Sequence, residues 1–95
     1  MSKILQQDEK QKILESLEGW RLLDDLDALA KSFVFKNFNA AFSWMTSVAL
    51  KAEKIDHHPE WFNVYNRVDV ILTTHSAGGI SELDVEMAKF MDTIL

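Results

Sequence analysis

The sequence predicts an α+β fold of order α-β-β-α-β-β-α, a four-stranded antiparallel sheet with its helices packed on one face. Three observations predict it. Segments near both ends and in the middle of the chain carry apolar residues at helical spacing. Short runs rich in branched and aromatic residues fall between them in two pairs. No linker, repeat or low-complexity tract interrupts the 95 residues, so one domain spans 1–95.

The elements follow in order. Residues 7–17 place Lys10, Ile13, Leu14 and Leu17 at helical spacing, and Gly19 is the stop. Trp20 to Leu23 reads as a brief strand, with the acidic DDLD cluster at 24–27 as the turn after it. From Ala28 to Phe35 the chain alternates, Leu29, Lys31, Phe33 and Phe35 on one side and Ala30, Ser32, Val34 and Lys36 on the other. These two segments pair as an antiparallel hairpin.

Asn39 is the expected N-cap of a helix over 40–55. Phe38, Ala41, Phe42, Met45, Val48, Ala49, Ala52 and Ile55 share one broad apolar face there, with Trp44 at its margin and Leu50 well off it. Apolar residues beyond a core stripe point to a second subunit, and a singly exposed leucine is the plainer alternative. Pro59 ends the helical option. Trp61 to Tyr65 and Val68 to Thr74 are strands separated by an Asn66-Arg67 turn, with Val68, Val70 and Leu72 as the inward row. The loop 75–79 follows, its glycines permitting positive φ. Ser81 and Asp84 form a capping box that opens a last helix with the stripe Leu83, Met87, Phe90, Met91 and Ile94.

Composition narrows function. The formal charge is −5, and the 10 basic residues are scattered among 15 acids, which argues against direct nucleic-acid binding. With no cysteine there is no disulfide framework, thiolate nucleophile or Cys-ligated zinc. No signal-peptide core or membrane-length apolar run is present, and a cytoplasmic chain is the default expectation, with nuclear entry by diffusion open at this size. Aromatic content of 11% is high for the length and again hints at surface given to a partner subunit.

The chemistry concentrates in EKIDHHPEWFNVYN, residues 53–66. Imidazole exchanges protons near neutrality, and the chain's three histidines are His57, His58 and His75. Two precede the only proline; the third ends a strand ahead of Gly78-Gly79. Loop ends on a rigid scaffold are common homes for site residues. If both junctions share one end of the sheet, the three rings line one pocket. Spacing leaves a helix-capping histidine equally open. A metal site is the competitor, although neighbouring side chains on an extended segment point apart and no HExxH spacing is present. No serine stands in a nucleophile elbow, and no glycine-rich phosphate loop occurs. Acid–base chemistry on a small organic substrate remains, with Trp61 or Phe62 available to pack a flat ring.

The run 53–66, followed by TTHSAGGISELD at 73–84, resembles the pterin-4a-carbinolamine dehydratases, known in animals also as dimerisation cofactors of a homeodomain transcription factor. GWRL at 19–22, FVFKNF at 33–38 and FSWMTSVALKAEK at 42–54 extend the resemblance over nearly the whole chain. It implies the same order of elements, sheets joined into dimers, and dimers paired through helices as tetramers. It implies dehydration of a 4a-hydroxytetrahydropterin in tetrahydrobiopterin recycling, with no cofactor because the pterin is the substrate. By resemblance His57, His58 and His75 are catalytic, and Asp56, Thr73, Thr74 and Ser76 join them in contacting substrate. Glu53, Trp61 and Asp84 lie behind, the two acids able to orient the imidazoles. Ser76 departs from the acidic residue often found there, and Ala77 from the animal cysteine. The other role the resemblance offers is a binding module for a transcription-factor dimer, using the face around Phe42, Trp44, Met45 and Val48. A scaffold with a satisfied histidine cluster is the plainest alternative.

Overall fold

The computed structural model describes residues 2–95. Helix α1 is Gln7–Ser16, β1 is Arg21–Leu22, β2 is Leu29–Val34 and α2 is Phe38–Ile55. Strands β3 (Glu60–Val64) and β4 (Arg67–Leu72), a 3₁₀ turn at His75–Ala77 and α3 (Glu82–Thr93) complete the chain. The expected order of elements is borne out. The sheet is antiparallel with strand order β1-β2-β4-β3, so β4 is central and β3 is an edge.

Alternation along β4 explains the layers. Val68, Val70 and Leu72 are buried against the helices, whereas Arg67, Asp69 and Ile71 occupy the other face, where Ser32 Oγ donates to Asp69 Oδ1 at 2.7 Å. In β2, Phe33 anchors the core between Trp20 at 5.8 Å and Trp44 at 4.5 Å, centroid to centroid. Aromatic pairs at such distances add to simple burial. Lys31 shares this side because its ammonium is fully occupied. It lies over the Phe33 ring, 2.8 Å from Asp92 Oδ1 and 3.1 Å from the Glu18 carbonyl.

Several boundaries differ from expectation. Asn37, not Asn39, caps α2, its side chain accepting from Ala40 N–H at 2.8 Å. The broad apolar face of α2 splits in two. Ala41, Trp44, Val48 and Ala52 are buried, with Trp44 in the centre and its Nε1 donating to the Met91 carbonyl. Phe38 and Phe42, placed in that face from the sequence, lie outside the seam, 46% and 53% exposed, with Leu50 69% exposed. The turn between β3 and β4 is Tyr65-Asn66 instead of Asn66-Arg67, and Tyr65 takes a left-handed φ of 49°. The α3 stripe turns slightly from the expected one: Val85, Met87, Ala88 and Met91 are buried, and Leu83, Phe90 and Ile94 only partly so. No helix among the described residues is long and apolar enough to cross a membrane.

Candidate active site

The register of the sheet decides where the site forms. Glu60 pairs with Ile71 across β3 and β4, so residues before Glu60 run beside residues after Ile71 at one end of the sheet. That is the juxtaposition of the 57–59 and 73–75 junctions that the sequence required. Helix α2 stops there because Asp56 adopts a left-handed φ of 51°, which turns the chain into extended His57-His58-Pro59. On the facing side α3 begins at Ser81, so its first turn points at the same end.

Asp84 is the centre of the buried part. It has no solvent exposure, and its Oδ1 lies 2.5 Å from His57 Nε2. Its Oδ2 accepts from Thr74 Oγ1 at 2.7 Å and from the Ser81 N–H at 2.9 Å. The Thr74 hydroxyl, spent as a donor to the carboxylate, accepts in turn from Ser81 Oγ at 2.7 Å. The Ser81 oxygen then accepts from the Leu83 N–H at 3.3 Å. Both Asp84 oxygens and the Thr74 and Ser81 hydroxyls are paired, as a low-dielectric interior demands. The capping box read from Ser81 and Asp84 is therefore real, and the same carboxylate reaches beyond the helix to a histidine.

This arrangement selects a tautomer. A carboxylate that takes hydrogen bonds from an amide and a hydroxyl calls for an N–H on His57 Nε2, leaving Nδ1 as the free ring nitrogen. Among the described residues Nδ1 has no protein partner, and no side-chain nitrogen or oxygen sealed from solvent is without one, so Nδ1 opens outward. His57 is nevertheless only 8% exposed as a residue.

The other two histidines stand in water and each faces its own carboxylate. His58 Nε2 lies 2.6 Å from Glu53 Oε2, one helical turn back on α2. His75 Nε2 lies 3.0 Å from Glu60 Oε2, across the β3–β4 junction. The pairing of Glu60 with His75 becomes visible only with the register of β3 and β4. Thr73 is buried and donates to the Asp27 carbonyl at 2.9 Å. Ser76 is exposed on the 3₁₀ turn, and Gly78, at φ 82°, closes that turn. Trp61 turns its ring toward the core, 6.3 Å from Trp44, while Phe62 on the opposite face is 61% exposed. Glu60, Trp61, Phe62, Asp69 and Ile71 border a shallow depression of about 230 Å³ beside the His75–Glu60 pair. None of the three imidazoles lines that depression. Among the described residues no three histidine or carboxylate groups are placed to hold a metal ion.

The arrangement supplies one tautomer-locked imidazole, two solvent-facing imidazole–carboxylate pairs and an apolar depression next to one of them. Such groups can remove a proton from one atom of a small molecule and deliver one to another.

Comparison with known proteins points to one family. The family model for pterin 4 alpha carbinolamine dehydratase matches residues 3–94. A curated relative from Rhodopseudomonas palustris, named for that activity, is 56% identical over 86 residues, covering 90% of this chain and 85% of its own. One from Brucella ovis, named likewise, is 52% identical over 90 residues, covering 95% and 93%. A crystal structure from Brucella melitensis, described as a transcriptional coactivator/pterin dehydratase, superposes with a TM-score of 0.93 at 52% identity, over 95% of this chain and 96% of that one. The chain belongs to the pterin 4 alpha carbinolamine dehydratase family.

Proposed function

We propose that the protein expels water from a 4a-hydroxytetrahydropterin by imidazole acid–base catalysis, yielding the quinonoid dihydropterin for reduction in tetrahydrobiopterin recycling. As a family member the chain is an enzyme of the lyase class, a pterin dehydratase. The bookkeeping of the step is simple. The N5–H bond breaks, an N5=C4a double bond forms, the C4a–O bond breaks, and the departing hydroxyl gains a proton. No electron is exchanged with an outside reagent, so the chemistry calls for no metal or organic cofactor, and the pterin is the substrate.

The observation that carries this reading is the His57–Asp84 pair. A buried carboxylate that holds Nε2–H keeps Nδ1 presented as a base and stabilises the imidazolium once a proton arrives. His57 takes the proton from N5. His75, next in the chain to Thr74 and paired with Glu60, gives one to the leaving hydroxyl. His58 with Glu53, and the Asp56, Thr73, Thr74 and Ser76 backbone and side chains, frame the substrate. The test is stopped-flow dehydration of synthetic 4a-hydroxytetrahydropterin by wild type, His57→Ala and His75→Ala. Each variant is expected to lose about 10²-fold or more in rate, the usual contribution of a positioned acid or base. Near wild-type rates in both variants would sink the assignment.

A second role as a protein-binding module, beside the enzymatic one, rests on α2. Phe38 and Phe42 lie on its outer side with ring centroids 5.6 Å apart, roughly half exposed in the single chain. An apolar stripe of this kind fits pairing with further copies of the chain, as a dimer or tetramer, or with a transcription-factor dimerisation segment.

A further inference from the structure

The turn 24–27 holds the site from outside through one residue. Asp27 meets the loop that carries Thr74 and His75 at both of its ends. Its main-chain carbonyl accepts from Thr73 Oγ1 at 2.9 Å, and its Oδ2 accepts from the Ile80 N–H at 3.4 Å. Its Oδ1 is braced by Lys10 Nζ of α1 at 2.9 Å. Between those ends the loop closes on itself, Thr74 N–H to Gly79 O at 2.9 Å and Gly79 N–H to Thr74 O at 3.2 Å.

The fit is close enough to specify a glycine. A Cβ at Gly79 would stand 2.0 Å from Asp27 Oδ2 and 2.8 Å from its Cγ, so the carboxylate rests directly on the base of the loop. The turn itself does not need these contacts, because Leu23 N–H to Ala28 O at 3.1 Å already closes it. Lys10, Asp27, Gly79 and Ile80 thus form a brace leading from α1 to the loop.

We infer that Asp27 is a positioning residue for the dehydration, clamping the Thr73–Ile80 loop so that Thr74 meets Asp84 and His75 meets Glu60 before substrate arrives. This rests on the proposed reaction for its kinetic consequence, while its structural consequence stands without it. A loop held loosely binds substrate in many poses, and small misplacement of catalytic groups costs rate steeply.

Asp27→Ala, Asp27→Asn and Gly79→Ala are compared with wild type in steady-state dehydration and in amide exchange at residues 75–80. Asp27→Ala is expected to lower kcat about tenfold, with a smaller change in KM, and to speed exchange in the loop. Asp27→Asn keeps an acceptor for Ile80 and recovers most of kcat/KM, which a general loss of stability would not explain. Gly79→Ala drives the same change from the other side of the contact, and Lys10→Met, which removes only the brace, gives a weaker version should Asp27→Ala not fold. Unchanged loop exchange in the Asp27 and Gly79 variants overturns the clamp. Faster exchange with unchanged kcat/KM in an active enzyme overturns its role in the reaction. Faster exchange in a protein whose wild type does not dehydrate the pterin upholds the clamp and overturns the proposed activity instead.

Discussion

Asp84 binds His57 through one carboxylate oxygen and the start of its own helix through the other. The orientation of the most buried imidazole and the integrity of the first turn of α3 therefore depend on a single side chain.

Replacing Asp84 by Asn tests this dependence. The amide keeps the volume but offers only one acceptor oxygen for three donors, and the His57 tautomer is no longer selected. A fall in kcat of about 10² or more, with a smaller change in KM, is expected, because a carboxylate that orients a histidine acts mainly on the chemical step. An unfolding free energy lower by about 1–3 kcal/mol accompanies it, the cost of leaving buried donors unpaired. Chemical denaturation and single-turnover rates on the same samples check both.

Ser81→Ala separates the cap from the histidine. It removes the hydroxyl that accepts from Leu83 N–H and donates to Thr74 but leaves the Ser81 N–H bond to Asp84. Stability should drop by about 1 kcal/mol, as for other lost N-caps. Activity should fall far less than in Asp84→Asn.

Tyr65→Asn should stabilise the fold. Tyr65 holds φ at 49° and is 61% exposed, so its ring contributes little burial to offset an unfavourable backbone. Asparagine tolerates that region, and a gain of up to about 1 kcal/mol in the unfolding free energy is expected.

Phe42→Glu tests the outer side of α2. A charge placed 53% exposed in the single chain should leave the fold intact. If the stripe joins copies, light scattering will report a smaller assembly than wild type at equal concentration. An unchanged mass would remove this stripe from the assembly.

Much of the fold was legible because its signals are local. The alternation of Val68, Val70 and Leu72, the stop at Gly19 and the pairing of Ser81 with Asp84 each depend on neighbours within a few residues. Local signals also explain the misses. Asn37 and Asn39 are equally good caps by type, and only the chain path leaving β2 chooses Asn37. Hydropathy marks the apolar arc of α2 but not which half of it meets the sheet, so periodicity alone places Trp44 at the margin and Phe42 inside, the reverse of their burial. Tyr65 carries no sequence mark of positive φ, because the tight β3–β4 register imposes it. In the site, the histidines were readable from residue type, spacing and resemblance, while Glu60 and Asp27 act through partners 15 and 46 residues away. Contacts at that separation exist only once the sheet is assembled.

The shared use of Asp84 has an evolutionary consequence. In many enzymes the residues that fold the chain and those that turn over substrate are separate, and drift can trade one against the other. Here a mutation at position 84 acts twice, once on the start of α3 and once on the orientation of His57. At this one position the histidine cannot be released without also loosening the helix start that faces it.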